Sequence, residues 1–229
     1  MMSGLAGAGT FTLYSTGFGP NGFELPPLFH DGNWTIVSEP GGTSSAPFIT
    51  AGFAANTGPF KNGWIGNTVS SEWISPAPFE LLSDAPGVYV FEQTFNLDSF
   101  FDTAVITGQW AMDNTGFIVV NGQKVTDGAD GLVPFGTPEG FDSFTPFVLT
   151  SSNANFVEGL NTIDFVVLNT RAGRPDTTGL DVDIESDFHC AGARIVRTHG
   201  PWLLRALPRR EEVEAKLRNF RLKAARPLR

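Results

Sequence analysis

Cysteine is almost absent: Cys190 stands alone among 229 residues, which rules out an intramolecular disulfide and a thiolate metal cage. Basic residues are scarce over most of the chain. Of 15 Lys and Arg, only Lys61, Lys124, Arg171 and Arg174 precede residue 190, whereas of 24 Asp and Glu only Glu211, Glu212 and Glu214 follow it. A body this acidic repels nucleic acid, whose affinity comes from Lys and Arg displacing counterions along the phosphates. It has equally little to offer anionic lipid, and it suits neutral glycans, calcium or basic partners. No run of about 18 apolar residues occurs, so no transmembrane segment is expected. Met1–Gly9 lacks the basic stretch and the apolar stretch of a secretory leader. Catalytic signatures are missing too: there is no G-x-S-x-G, no H-E-x-x-H, no Walker loop and no Cys/His pair at usable spacing. His30-Asp31, beside a glycine, reads as a turn rather than half of a triad. The expectation is a protein that is not an enzyme and needs no cofactor. A glycosidase built from two carboxylates that meet only in space stays open.

What is abundant is the vocabulary of short strands and tight turns: 21 Phe, 26 Gly and 16 Pro against 17% charged residues. β-Branched and aromatic clusters between turn signals predict strands at Thr10–Tyr14, Asn33–Ser38, Pro47–Ala51, Glu72–Ser75 and Val88–Asn96. Further strands are predicted at Ala104–Met112, Gly116–Val125, Phe144–Thr150, Thr162–Asn169 and Leu180–Glu185. Asp113–Thr115 is read as a turn, and Asn121-Gly122 as a second, because Asn-Gly tolerates the positive φ angles of a type I′ turn. No helical period separates the strands, so parallel βαβ units are not expected. The fold class is therefore all-β, an antiparallel two-sheet β-sandwich over residues 1–188, and the resemblance described next implies the jelly-roll type. Two long Gly-containing loops, Phe53–Asn67 and Val125–Asp142, are the natural carriers of a binding surface. After Phe188 the composition turns basic. Residues 189–229 read as a tail, disordered or holding one short helix over Glu211–Ala225, whose acidic start and basic end complement the helix dipole.

Several segments in order resemble a known group. They are LYSTGFGPNG (Leu13–Gly22), NWTIV (Asn33–Val37), WIGNTVSSEWISP (Trp64–Pro76), GVYVFEQTFNL (Gly87–Leu97), ITGQWAMDNTGFIVVNG (Ile106–Gly122), GFDSFTPFVLTS (Gly140–Ser151), FVEGLNTIDFVVLN (Phe156–Asn169) and TGLDVDI (Thr178–Ile184). This order looks like bacterial exported β-sandwich proteins of the PEP-CTERM-associated type, and it is similar to galactose-binding-like jelly-roll modules attached to glycoside hydrolases. The resemblance covers about residues 11–185 and implies a noncatalytic domain that is secreted or held at the cell surface. It departs at the C-terminus, where GPWLL is too short for the membrane span of a sorting signal and the arginines are scattered over Arg194–Arg229.

Candidate ligand-binding residues follow from chemistry. Trp64 and Trp73 carry flat indoles that match the apolar faces of pyranose rings, and Trp64 borders a Gly-rich loop. Trp110, inside an apolar strand, reads as core. Asp113, Asn114 and Asn121 flank a hairpin and can meet sugar hydroxyls or calcium, although turns call for the same residues on their own account. Asp127–Gly131 (DGADG) lacks the spacing of an EF-hand and reads as an acidic loop. Asp181, Asp183, Glu185 and Asp187 alternate, which puts four carboxylates on one strand face. That face is expected to be solvated, with a bound cation as the sharper alternative. The leading expectation is a glycan- or exopolysaccharide-binding module without nucleic-acid partners and without an assigned metal. A self-associating structural protein of a surface or matrix is the other reading.

Overall fold

The computed structural model describes residues 12–42, 45–49, 64–77, 84–97, 104–125, 140–170 and 177–185. They contain β1 (Thr35–Ser38), β2 (Phe48–Ile49), β3 (Ile74–Ser75), β4 (Gly87–Leu97), β5 (Val105–Asp113), β6 (Thr115–Val120), β7 (Gln123–Lys124), β8 (Thr145–Thr150), β9 (Gly159–Asn169) and β10 (Gly179–Glu185), and no helix. The tail 189–229 and the acidic loop Asp127–Gly131 lie outside the described residues. No helix among the described residues is long and apolar enough to cross a membrane.

Two antiparallel five-stranded sheets pack face to face, as the strand-and-turn pattern predicts. One runs β1-β4-β9-β6-β7 and the other β2-β3-β10-β5-β8. Alternation fixes which side chains enter the gap between them. Tyr89, Phe91, Phe95 and Leu97 of β4 and Ile163, Phe165 and Val167 of β9 face Ile106, Trp110 and Met112 of β5 and Leu180, Val182 and Ile184 of β10. Phe165 is the hub: Trp34, Trp110 and Phe147 meet it edge-on at 5.6, 5.4 and 5.8 Å between centroids, the geometry the ring quadrupoles prefer. Trp110 is fully buried, the core role its strand position predicts.

Local chemistry explains the turns. Asn121 and Gly122 sit at φ 50° and 73°, the paired positive angles of a type I′ connection between β6 and β7. The predicted strand Gly116–Val125 is therefore two short strands around this turn. The turn expected over Asp113–Thr115 is tighter still, since Asn114 alone separates β5 from β6. The predicted strand at Thr10–Tyr14 is not one over residues 12–14. There the buried Gln93 side chain takes the place of a partner strand: Tyr14 N donates to Gln93 Oε1 at 3.0 Å, and Gln93 Nε2 donates to Tyr14 O at 2.6 Å.

Candidate functional site

Four of the five sequence candidates gather at one end of the sandwich. β5 delivers Asp113 to that end, opposite Gly179 at the start of β10, and Asn114 follows directly, joined to it by a cis peptide. Trp64 lies across Gly179. Its indole Nε1 donates to Asp113 Oδ2 at 2.9 Å, and its ring packs on Trp73 with centroids 4.1 Å apart. Gly179 has no side chain because none fits: an added Cβ would lie 2.5 Å from the Trp64 ring. Trp73, just before β3, is fully buried and donates through Nε1 to Ile65 O at 2.9 Å. Trp64 is half-buried, so of the two indoles it alone keeps an accessible part.

The carboxamide of Asn114 ties loops together. Asn114 Nδ2 donates to Asp113 Oδ1, and Asn114 Oδ1 accepts from the Thr170 amide at 3.0 Å. Its backbone carbonyl accepts from Gly140 N at 2.8 Å. Next to it, Ile65 N donates to Phe141 O at 2.7 Å, so the returning ends of the two long loops singled out in the sequence meet here. Asp84 joins the same end through Thr178 N, which donates to its Oδ2 at 2.8 Å. Asp113 and Asn114 are themselves buried; they position this end of the molecule, while Trp64 presents a surface.

Asn121 is elsewhere, at the far end of β6, roughly 20 Å away along a strand of six residues. Its Nδ2 donates to Asn155 O and Asn161 Oδ1, each at 2.7 Å, and its Oδ1 accepts from Thr162 N at 2.9 Å. It works there as the turn residue its chemistry suits.

The carboxylates of β10 share one face, but that face is not uniformly solvated. Asp181 is fully buried, because the chain around Thr16 and the segment around Ser71 lie over it. Asp183 is half-buried, accepting from Ser70 Oγ at 2.8 Å and Gln109 Nε2 at 3.2 Å, and Glu185 is exposed. Asp187 lies outside the described residues. The alternation had said which side each residue faces; loops from distant sequence decide which positions are covered.

No protein-family model, characterised protein or solved structure matches this chain.

Glu72 was not foreseen. It is buried beside Trp73, and burial, with the neighbouring charges of Glu24 and Asp181, pushes its carboxyl up to about 7. Burial likewise pushes Asp181 up to about 7, the hydroxyls of Ser71 and Thr16 offsetting only part of the combined effect of burial and the Asp183 charge. Asp31 is buried and raised by desolvation, although its Oδ2 and Oδ1 accept the amides of Gly17 at 2.7 Å and Asn33 at 3.0 Å. It holds a turn, as expected of His30-Asp31, and the His30 ring stacks on Phe48 with centroids 3.9 Å apart. Nothing in one strand's sequence marks Glu72 and Asp181 as neighbours; the acidic residue immediately before a buried tryptophan was the available signal.

Proposed function

We propose that this chain is a noncatalytic glycan-binding module of the secreted or cell-surface kind, with Trp64 as the platform on which a sugar ring stacks. One observation carries the reading: a half-buried indole is clamped by Trp73 behind it and by Asp113 at its edge, at the end of the sandwich where long loops return. A platform fixed in advance loses little rotamer freedom on binding, so more of the stacking energy survives as affinity. Loops carried on a rigid sandwich are where binding surfaces are placed. The resemblance to exported sandwiches and galactose-binding-like modules points the same way, and the acidic body favours a neutral ligand over a polyanion.

The test is a glycan array probed with the full chain and with Trp64→Ala, each checked for folding by circular dichroism. Selective binding that drops at least tenfold in Trp64→Ala supports the reading. A folded wild-type chain that binds no glycan overturns it. In that case a self-associating surface protein takes precedence, for which Val69, Phe23 and Phe29, exposed at 98%, 70% and 63%, supply apolar contact. Light scattering over a range of concentrations would then show oligomers.

A further inference from the structure

The chain that roofs β10 is held to it by backbone pairing as well as by packing. β3 pairs with β10 at Leu180 alone; farther along, Ser15 and Thr16 take its place. Thr16 N donates to Val182 O at 3.0 Å, Val182 N to Thr16 Oγ1 at 2.9 Å and Ile184 N to Ser15 Oγ at 3.0 Å. Thr16 O in turn accepts from Glu72 N at 2.9 Å. The chain then doubles back: Leu25 N donates to Gly17 O at 2.8 Å, Gly19 N donates to Phe23 O at 2.9 Å, and Phe18 pairs with Glu24. The seam beneath is carboxylic. Asp181, 0% exposed, meets the hydroxyls of Thr16 and Ser71, and Glu72, 6% exposed, meets the Asn67 carboxamide at 3.1 Å and the Glu24 carboxyl. Two carboxyl groups hydrogen-bond to each other only while one carries a proton, because an ionised carboxylate has acceptors alone. The other groups around the seam bring no positive charge to it. Asp183 stands beside it on β10 with Gln109 of β5, Asp31 accepts the Gly17 amide at 2.7 Å, and His30 is turned to Phe48 and to Ala46 O. The one Lys or Arg among the described residues, Lys124, sits on the other sheet over the Phe117 ring.

We infer that Ser15–Leu25 is a proton-locked strap, closed over β10 while the Glu72 and Asp181 carboxyls are neutral and opened locally once both ionise. Ionised in place, Glu72 would face Glu24 and Asp181 would face Asp183 in a buried seam, where like charges and desolvation act together. Opening returns both groups to water at the expense of the bonds made by Ser15 and Thr16. It also bares the edge of β10 at Val182 and Ile184, whose backbone groups are then free to pair with another strand. The direction follows from the carboxyls themselves. Burial raises both to about 7, and in the opened strap they return towards their ordinary values of 4.5 and 3.8. Between those values and about 7 the closed form holds protons that the open form has lost. Closure is therefore strongest below the ordinary values and weakens as pH rises through the upper one. The inference is independent of what Trp64 binds.

Hydrogen exchange of the full chain tests it, read by mass spectrometry at pH 5 and pH 8 and corrected for the intrinsic pH dependence of exchange. Protection of Ser15–Leu25 and Gly179–Glu185 is expected to fall by about tenfold or more between the two. Gly159–Asn169, in the other sheet, should change by less than about threefold. Glu72→Gln and Asp181→Asn keep the shape of the side chains without titrating. Each should shrink the drop, and the double variant should bring it to the level of Gly159–Asn169. No drop in the wild-type chain, or an equal drop in both regions, overturns the strap; the second result would mean that the whole domain opens. A full drop in the folded double variant overturns it as well. Should that variant not fold, the regional contrast in the wild-type chain decides alone.

Discussion

The two sheets turn opposite kinds of surface outward. On β1-β4-β9-β6-β7 the outward row is open: Val88 is 45% and Leu160 63% exposed, and Glu92 of β4 stands directly across from Asp164 of β9. On the other sheet, residues at equivalent alternation positions are roofed over. Trp73, just before β3, and Asp181 are both 0% exposed beneath chain from the N-terminal segment and from Trp64–Asn67. The same period-2 pattern thus yields a solvated face in one sheet and a second, smaller buried layer in the other. Coverage by loops, not strand pattern, decides where buried polar chemistry can arise.

The largest effect that would sharpen this contrast is expected at Trp73. Trp73→Ala should destabilise the fold by about 3–5 kcal/mol, the cost of emptying a buried tryptophan site. Leu160→Ala on the open face should change stability by less than about 0.5 kcal/mol. Urea unfolding of both variants checks the pair. If the two cost the same, the roofed face is no second core.

Next in size is Gly179. Alanine there would place its Cβ 2.5 Å from Trp64 Cη2 and 3.1 Å from Trp73 Cε3, and rigid rings cannot yield as a flexible side chain would. Gly179→Ala should cost about 1–3 kcal/mol through overpacking and alter the tryptophan fluorescence of the folded state. An unchanged spectrum with unchanged stability would mean that the Trp64–Trp73 stack does not rest on β10.

The fold was largely legible because its signals are local. Val88–Asn96 differs from β4 by one residue at each end, and Asn121-Gly122 forms the turn its φ tolerance implies. The clustering of Trp64 with Asp113, 49 residues apart, was legible only in part. Each residue could be chosen for its chemistry, but no local pattern says that they meet, or that Asn121 goes to the opposite end. Asp181 was harder. Its alternation with Val182 and Ile184 is that of an exposed strand face, and its burial depends on Thr16, 165 residues away. The strand expected at Thr10–Tyr14 illustrates a related gap, because a glutamine side chain can meet backbone hydrogen-bonding needs without leaving a strand signature.

The smallest expected effect concerns the open face and separates it from the roofed one by pH. Asp164 is pushed up to about 6, first by burial and then by the facing charge of Glu92, and like charges directly opposite in a sheet are unfavourable. The unfolded chain releases this proton near the ordinary value of 3.8, so between there and about 6 the folded state holds a proton that the unfolded state has lost. Stability carried by Asp164 is therefore present below the lower value and disappears as pH rises through the upper one. Asp164→Asn removes the repulsion at every pH. It should gain under about 1 kcal/mol at pH 7.5, since the group is half-exposed and screened, and nothing measurable at pH 3. The loss between pH 4 and 7.5 that arises from Glu72 and Asp181, both raised to about 7, should persist in this variant. Urea midpoints at three pH values decide it. If Asp164→Asn erased the whole pH dependence, the open face would be the dominant titrating surface, and the roofed carboxyls of the other sheet would not differ from solvated ones.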